Sequence, residues 1–395
     1  MTCLMPSVTV DKLFPPLTAF MARTDLTQTR LLGYRKINLD AVTTVAAGLL
    51  NGRPTVRHRS GVTGLIMQTY ARAGLRVAED ILPYDTRDQA ESAADALIAR
   101  GCRLLGAYPH PAGRYADAAL LVPPALWHRL NAKDHLPDIV PPENLMSRQT
   151  IPLAALADRN FDAPVWLKAA GSHPTGWGFA VRYCPDRKTL MNAIADFRVM
   201  PGVTHVIAEA DAQTEHCWCA SIVVDDMGTT YAGFAEQEFA SPGHQSGSVI
   251  NPENPFPSAG QRLAVAVGEA ARKQGFRGIA GLDIGMTPDG RFVVFDPNFR
   301  LNASTAQALF HGAATARVGL PVSRSFHALT DLPCATAIDR ILPALDAGWF
   351  IPTRLLDGAL LPAALGKSYV TGFVLGHDPA DAQVRSAQLQ SALAA

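Results

Sequence analysis

The segment GLDIGMTPDGRFVVFDPNFR, residues 281–300, decides the fold prediction. Asp289-Gly290 is a strong two-residue turn signal, and the following run 292–295 is rich in β-formers, so a tight hairpin is predicted. Counting outward from this turn places Asp296 directly opposite Asp283. Because like charges that face each other across an antiparallel pair are destabilising, a positive group is expected between them.

Two residues that follow Asp296 add to this site. Asn298 contributes an amide oxygen on the same side of an extended chain, and Arg300 comes next. Carboxylate and amide oxygens beside a cation suit Mg²⁺ that holds the phosphates of a nucleotide. The alternative is an ordinary surface hairpin with solvated aspartates. A three-residue loop would also break the argument, because a one-residue slip moves Asp296 to the other face.

Composition limits the classes of protein. A chain of 395 residues exceeds the size at which single cores stop growing, so two or three domains or subdomains are expected. Its 48% hydrophobic and 18% charged residues favour a packed globular protein over a disordered one. Acidic and basic residues balance at 35 each, which gives no reason to expect a nucleic-acid or membrane-surface partner.

The cysteines and the N-terminus favour a cytoplasmic protein. Cys217-Trp-Cys219 is too closely spaced for a zinc pattern and has no matching pair, so all six cysteines are predicted to be reduced thiols. The first six residues lack a basic region followed by an apolar core, so no signal peptide is predicted. No apolar run is long enough to span a bilayer.

Alternating helix and strand patterns predict an α/β (α+β) fold. Helices are predicted at 60–73, 85–100, 186–197 and 261–274, with a final Ala/Gln-rich helix near the end. Strands are predicted at 75–78, 103–108, 163–168, 179–183, 205–209 and 367–376, with a hairpin that pairs 217–225 with 231–239.

A lysine at the end of a predicted strand precedes a glycine-rich loop. Gly171, Gly176 and Gly178 let backbone N–H groups approach phosphate oxygens, and Lys168 supplies positive charge. The spacing is neither Walker A nor Gly-x-Gly-x-x-Gly, so a plain turn is an alternative. Further on, the strand end Glu209-Ala-Asp211 is able to present backbone groups and an acid to an adenosine, or is simply a solvated strand terminus.

The order of these features is more specific than any one of them. Along the chain come Lys133, Lys168 with its glycine loop, Glu209, Asp283 and finally Asp296-Pro-Asn-Phe-Arg300. In this order the chain resembles the ATP-grasp family over about residues 126–318. Members of that family carry phosphate lysines, a glycine-rich lid, an acidic hinge strand that grips adenine, and a late acid before a Glu-x-Asn-x-Arg strand that holds Mg²⁺.

The resemblance implies a domain plan and a set of site residues. The plan is an N-terminal α/β pre-ATP-grasp domain at 1–125, an ATP-grasp domain at 126–318 with a lid subdomain at about 135–208, and a small C-terminal unit at 319–395. The cofactors implied are ATP and Mg²⁺ (or Mn²⁺). The nucleotide would contact Lys133, Lys168, Gly171, Gly176, Gly178, Glu209, Asp211 and Glu215; the metal would contact Asp283, Asp296 and Asn298; Arg300 and Lys168 would act in catalysis.

The chain departs from the family pattern at two places. Asp296 stands where a glutamate is more usual, which shortens the reach by one methylene, and the lid loop is poorer in Gly and Ser than in many members. Substrate contacts are predicted from two further stretches. These candidates are Glu238, His244 and Ser246 in the segment 236–252, and Asn302 and Ser304 at a helix start. His244 as a surface histidine, and Asn302 and Ser304 as a simple helix cap, are the alternatives.

The function predicted from the resemblance is an ATP-dependent carboxylate–amine ligase that forms an amide or peptide bond through an acyl phosphate. Its substrates would be small carboxylates and amines, such as amino acids or peptides, and a homodimer is possible. The alternatives are a biotin-carboxylase-like or purine-pathway ATP-grasp enzyme, and a nucleotide-binding scaffold without turnover.

Overall fold

The computed structural model describes residues 3–22, 46–161, 164–171, 180–361 and 367–394. These residues form three β-sheets with helices packed against them, a mixed α/β architecture. Gly176 and Gly178 of the predicted lid loop lie outside the described residues. All six cysteines are described, and each is a free thiol, as predicted. No helix in the described part of the chain is long and apolar enough to cross a membrane.

The first sheet is parallel and belongs to the N-terminal part of the chain. Its elements and the helix that follows are α1 (Val10–Leu13), β1 (Thr18–Met21), β2 (Pro54–His58), α2 (Gly64–Arg72), β3 (Asp80–Tyr84), α3 (Arg87–Ala99), β4 (Arg103–Leu105) and α4 (Pro124–Asn131). The strand order is β3-β2-β1-β4. Helix α3 begins with a capping box between Thr86 and Gln89, which explains why its start is visible in the sequence.

The prediction of a strand at 75–78 is wrong. Leu75 makes only an isolated bridge with Leu4, and the strand that pairs with β2 begins at Asp80. A single apolar residue can be buried without a ladder of backbone hydrogen bonds, and Leu75 is such a residue. Apolar patterning therefore placed the strand five residues too early.

The second sheet is antiparallel and carries one helix. Its elements are β5 (Arg148–Pro152), β6 (Val165–Ala169), β7 (Val181–Cys184), α5 (Arg187–Arg198) and β8 (His205–Ala210), in the strand order β5-β8-β6-β7. Asp186 caps α5 by accepting a hydrogen bond from the Thr189 N–H at 2.8 Å. Apolar side chains of α5 pack onto one face of this sheet, so its other face is left for the site.

The third sheet has eight strands and lies at the centre of the molecule. Its elements are β9 (Cys217–Val224), β10 (Thr229–Ser241), β11 (His244–Ile250), α6 (Ser258–Lys273), β12 (Gly278–Met286), β13 (Phe292–Asn298), α7 (Thr305–Val318), β14 (Val322–Thr330), α8 (Cys334–Asp346), β15 (Phe350–Leu356), β16 (Ser368–Gly376) and α9 (Pro379–Leu393). The strand order is β13-β12-β9-β10-β11-β14-β16-β15, with β13 and β15 at the two edges.

Two predicted segments take part in this sheet. The residues predicted as a small C-terminal unit supply β14, β15 and β16, which continue the same sheet through the pairing of β11 with β14. The segment 236–252, predicted as a substrate-facing loop, forms most of a strand pair, β10 with β11. Its polar residues hid the strand pattern because one face of this pair is not packed in the core.

Short 3₁₀ helices connect these elements. They span Arg59–Gly61, Asp117–Ala119, Lys133–Asp138, Pro142–Asn144, Leu153–Asp158 and Gly358–Leu360.

Candidate active site

The hairpin of β12 and β13 places Asp283 directly opposite Asp296, as predicted, but by a different route. The Thr287 N–H donates to the Arg291 carbonyl at 2.9 Å, so the loop has three residues rather than two. That one-residue slip is then reversed by a β-bulge: Ile284 pairs with Val294, whereas Asp283 pairs with Asp296. The additional residue in the bulge is Phe295, and the two shifts cancel at the aspartates.

The two aspartates form a strained electrostatic pair. Burial, and then the Asp296 carboxylate, raise the pKa of Asp283 above its usual range. Asp283 Oδ1 is buried and has no hydrogen-bond partner. An unpaired buried carboxylate oxygen beside a second carboxylate is costly unless positive charge is nearby. The pair is therefore suited to a cation.

Among the described residues, Lys133 is a cation that contacts this pair. Its side chain is 6% exposed, and its ammonium group forms an ion pair with Asp296 Oδ1. Lys133 begins the 3₁₀ helix Lys133–Asp138, and its carbonyl accepts a hydrogen bond from the Arg148 guanidinium. This contact connects the second sheet to the acidic hairpin.

A second buried cation lies next to the bulge. Lys168 Nζ donates to Glu209 Oε1 at 2.5 Å and to the Phe295 carbonyl at 3.2 Å. The bulge leaves that carbonyl available because Phe295 has no register partner on β12. Arg148 approaches the other Glu209 oxygen at 3.3 Å, and burial lowers the pKa of Arg148. One carboxylate thus faces two cations, and this cluster carries net positive charge.

An aromatic wall lies on the same face of the second sheet as Lys168. The rings of Trp166 and Tyr183 are 4.8 Å apart, and both side chains bind one carboxylate. Trp166 Nε1 donates to Asp211 Oδ1 at 2.9 Å, and the Tyr183 hydroxyl lies 3.3 Å from Asp211 Oδ2. Asp211 therefore organises the wall, while Glu215, four residues on, is exposed at the cavity margin.

Arg300 contacts both the candidate metal-binding residue Asn298 and the N-terminal part of the chain. Its Nη2 donates to Asn298 Oδ1 at 2.7 Å, and its guanidinium lies 5.0 Å from the centre of the Tyr108 ring. Tyr108 comes from the segment after β4, so the N-terminal part of the chain helps to hold Arg300.

The start of α7 borders the same space. Asn302 Oδ1 accepts hydrogen bonds from the N–H groups of Ser304 and Thr305 at 3.1 and 3.0 Å. Asn302 Nδ2 donates to Cys219 Sγ at 3.4 Å. The Asn302 side chain therefore caps the start of α7, as in the alternative prediction of a simple helix cap. Asn302 and Ser304 nevertheless both line the cavity.

These groups, apart from Arg148, surround one cavity of about 700 Å³. Its lining includes most of the predicted site residues that the structure describes, namely Lys133, Lys168, Glu209, Asp211, Glu215, Asp283, Asp296, Asn298, Arg300, Asn302 and Ser304. Gly171 ends the described part of its loop at a positive φ of 106° and does not line the cavity.

Three substrate candidates lie elsewhere. Glu238, His244 and Ser246 do not line the main cavity, and Glu238 forms an ion pair with Arg324. Their neighbours Gln237 and Gln245 line it instead. Successive side chains on a strand point to opposite faces, so a one-residue change of face separates Glu238 and His244 from Gln237 and Gln245. Ser246 lines a smaller pocket that adjoins the main cavity.

Several cavity residues were not predicted. The set comprises Tyr108, Trp166, Tyr183, Gln237, Gln245, Thr353 and Arg354. Trp166 is two residues before Lys168, so strand periodicity was a usable signal for it. Thr353 and Arg354 come from β15, whose approach to the cavity depends on the long-range pairing of the central sheet.

The donor set fits a hard cation that is shared with a nucleotide. No cluster of three or more His, Cys, Asp or Glu residues in the described ranges could hold a metal ion alone. Mg²⁺ is usually bound by one or two carboxylates plus substrate phosphates, and Asp283, Asp296 and Asn298 offer such oxygens. Burial raises the pKa values of the nearby Cys217 and Cys219 thiols, so these neutral groups do not favour a soft metal.

Two protein-family models match this chain. Residues 9–128 match the model of the L-aspartate–L-methionine ligase N-terminal domain. Residues 146–298 match the model of the L-aspartate–L-methionine ligase ATP-grasp domain. Together the two models match more than half of the chain.

Solved structures share the fold at low sequence identity. One is an N5-carboxyaminoimidazole synthase from Aspergillus clavatus in complex with ADP and 5-aminoimidazole ribonucleotide. It superimposes with a TM-score of 0.56 at 12% identity, covering 95% of this chain and 98% of that one. An L-amino acid ligase from Bacillus licheniformis gives a TM-score of 0.53 at 10% identity, covering 95% and 97%. These likenesses extend over nearly the whole of each chain.

Proposed function

The chain belongs to the ATP-grasp superfamily of carboxylate–amine ligases, and we propose that it joins L-aspartate to L-methionine. Members of this family are ATP-dependent ligases that form C–N bonds. The two amino acids come from the description of the matched family models. We further propose that the cavity between the second and third sheets binds ATP together with both amino acids.

One observation carries this proposal: Asp283 Oδ1 is buried without a partner, directly opposite Asp296. Lys133 contacts one carboxylate of the pair, and Lys168 contacts the bulge beside it. Two acids that need a cation, next to buried lysines, suit the joint binding of Mg²⁺ and a polyphosphate. We assign Asp283, Asp296 and Asn298 to Mg²⁺, which would neutralise charge on the phosphates when bound.

The reaction that follows from this arrangement has two steps. A carboxylate oxygen of aspartate attacks the γ-phosphorus of ATP, the bond to the β-phosphate oxygen breaks, and ADP leaves. The amine of methionine then attacks the acyl carbon and loses a proton. The amide bond forms as the bond between the acyl carbon and the phosphate oxygen breaks, and phosphate leaves. Lys133 and Lys168 hold the phosphates, and Arg300 is placed to bind charge that develops on the transferred group.

The other walls of the cavity supply nucleotide contacts in this proposal. The aromatic wall of Trp166 and Tyr183 provides a flat apolar surface for adenine, and the strand end from Glu209 to Asp211 provides backbone groups. The exposed Glu215 is assigned to the ribose region. A homodimer and a cytoplasmic location remain predictions, and light scattering of the purified protein tests the first.

The test is the amino-acid dependence of ADP formation from Mg-ATP. We expect ADP and phosphate only when aspartate and methionine are both present, and a product of the mass of the dipeptide. Hydroxylamine should intercept the activated acid when methionine is left out. ADP formation that depends on bicarbonate instead would contradict the proposal, and so would tight ATP binding without turnover with any pair of amino acids.

A further inference from the structure

A small side pocket adjoins the main cavity and shares part of its lining. It has a volume of about 40 Å³, enough for a group of a few heavy atoms. The two spaces share Gln245, Thr353 and Arg354 in their linings, and Ser325 and Thr371 line the side pocket only. A ligand in the main cavity is therefore able to extend one short group into it.

A β-bulge builds the wall between the two spaces. Pro352 pairs with Gly372 and Arg354 pairs with Thr371, so Thr353 is the extra residue of the bulge. Thr353 and Arg354 are consecutive, yet both line the cavity, which a regular strand does not allow. Gly372 makes this possible, because a Cβ at this position would lie 2.1 Å from the Ile351 carbonyl oxygen.

The side pocket is lined to receive negative charge. Among the described residues that line it, Arg354 is the one with a permanent charge, and no carboxylate is present. The Arg354 guanidinium lies 6.0 Å from the centre of the Tyr369 ring, within reach of a cation–π contact.

Neutral donors complete this lining. Thr371 Oγ1 is buried and has no hydrogen-bond partner. Ser325 Oγ accepts from the Ser248 N–H at 2.8 Å, which leaves its own hydrogen to donate. A guanidinium with neutral hydroxyl donors matches a carboxylate.

The position of the pocket relative to the reacting end indicates which carboxylate. Ala303 and Ala306, at the start of α7, line both spaces, and Arg300 to Ser304 line the main cavity beside the phosphate-binding residues. An amino acid with two carboxylates is able to present one to the reacting end, near the N-terminus of α7, and the other to Arg354.

We propose that the side pocket binds the non-reacting carboxylate of the acid that is activated, and that Arg354 determines the preference for an acidic amino acid. This inference rests on the proposed function and deepens it. It assigns the pocket to the carboxylate substrate and not to methionine. Arg354 is a specificity-determining residue here.

The test compares Arg354→Met and Arg354→Lys with the parent enzyme, using aspartate and its neutral analogue asparagine. Arg354→Met should raise the KM for aspartate roughly 10- to 100-fold, and the preference for aspartate over asparagine should fall by a similar factor. The KM values for ATP and methionine, and kcat, should change less than about threefold. Arg354→Lys should keep part of the preference. Arg385→Met is the matched control, because Arg385 also stacks on an aromatic ring, Trp349, but outside the cavity.

The outcomes separate this inference from the proposed function. An increase in the KM for methionine instead of aspartate, or an unchanged KM for aspartate, overturns the inference while the ligase assignment stands. Turnover that depends on a neutral amino acid as the activated acid overturns both substrate assignments. If no amino acid supports turnover, the proposed function fails. The inference about Arg354 is then tested by the binding of a dicarboxylate. In that case the thermal stabilisation of the Mg-ADP-bound protein by succinate must be present in the parent and absent in Arg354→Met.

Discussion

The two edge strands of the central sheet, β13 and β15, carry the same backbone device with opposite charge. Each has a one-residue bulge, and in each the bulge brings two consecutive residues to the cavity: Phe295 with Asp296, and Thr353 with Arg354. At one edge the exposed charge is a carboxylate that faces another carboxylate. At the other edge it is a guanidinium among neutral donors.

This difference indicates how one cavity accommodates ligands of different charge. The acidic edge needs a cation and, with the lysines nearby, suits a metal–polyphosphate pair. The basic edge needs an anion and suits a carboxylate. Regular strands would send alternate side chains away from the cavity, so the bulges are what allow both edges to contribute charge to it.

The largest effect is expected at the acidic edge. Asp296→Asn removes a charge opposite Asp283 and should lower kcat by about 10³-fold or more, because the Mg²⁺ assigned to this site would lose a carboxylate ligand. The fold should survive, because asparagine keeps the shape of the side chain. Steady-state ADP release and the thermal unfolding midpoint measure the two effects. Asp289→Asn, on the exposed turn of the same hairpin, is the control. Full activity in Asp296→Asn would refute the metal assignment.

The bulges themselves are tested through the glycines that accommodate them. A Cβ at Gly285 would lie 2.5 Å from the Phe295 ring, and a Cβ at Gly372 would lie 2.1 Å from the Ile351 carbonyl oxygen. Gly285→Ala should lower kcat roughly 10-fold or more, because the acidic pair is displaced. Gly372→Ala should mainly raise the KM for aspartate, by about 10-fold, because a misplaced Arg354 loses a charged hydrogen bond.

Gly312→Ala is the control for both variants. Gly312 lies within α7, and a Cβ there would meet nothing within 4 Å. Alanine at this position should leave the kinetics unchanged and stabilise the protein by about 0.5–1 kcal/mol. Identical kinetic defects in Gly285→Ala and Gly372→Ala would show that the two edges do not act separately.

The smallest effect concerns the neutral network behind the basic edge. His311 Nδ1 lies 2.9 Å from the hydroxyl of the buried Ser323, and burial lowers the pKa of His311 to about 4. Because this folded-state pKa is below the ordinary value of 6.5, stability should be highest above pH 6.5 and fall as the pH drops from about 6.5 to about 4. The loss should not exceed about 3 kcal/mol.

His311→Gln should flatten this acid limb, since glutamine keeps a hydrogen-bonding group but cannot take up the proton. Urea unfolding at a series of pH values measures it, and the exposed His377→Gln is the comparison. An equally steep acid limb in His311→Gln would remove His311 from the explanation.

The two edges were not equally predictable from the sequence. Asp283 and Asp296 lie within one hairpin, so a local turn signal was enough to place them opposite each other. The prediction succeeded because the longer loop and the bulge shift the register by one residue each, in opposite directions. Neither shift has a clear signal in the sequence.

Arg354 had no such local signal. It enters the cavity only after β15 pairs with β16 and β16 with β14, contacts between residues far apart in the chain. Gln237 and Gln245 were missed in favour of Glu238 and His244 because titratable groups drew the prediction to the wrong face of a strand pair. The third candidate, Ser246, lines the side pocket. Lys168, Glu209 and the late acids were found because their order along the chain resembles a known family.

The most direct test of the central claim follows the oxygen atoms of the activated acid. Aspartate labelled with ¹⁸O in its carboxylates is incubated with the wild-type enzyme, Mg-ATP and methionine, and the phosphate released is analysed by mass spectrometry. An acyl phosphate intermediate requires one ¹⁸O atom to pass from aspartate to phosphate in every turnover. Unlabelled phosphate, or AMP and pyrophosphate in place of ADP and phosphate, would contradict the account.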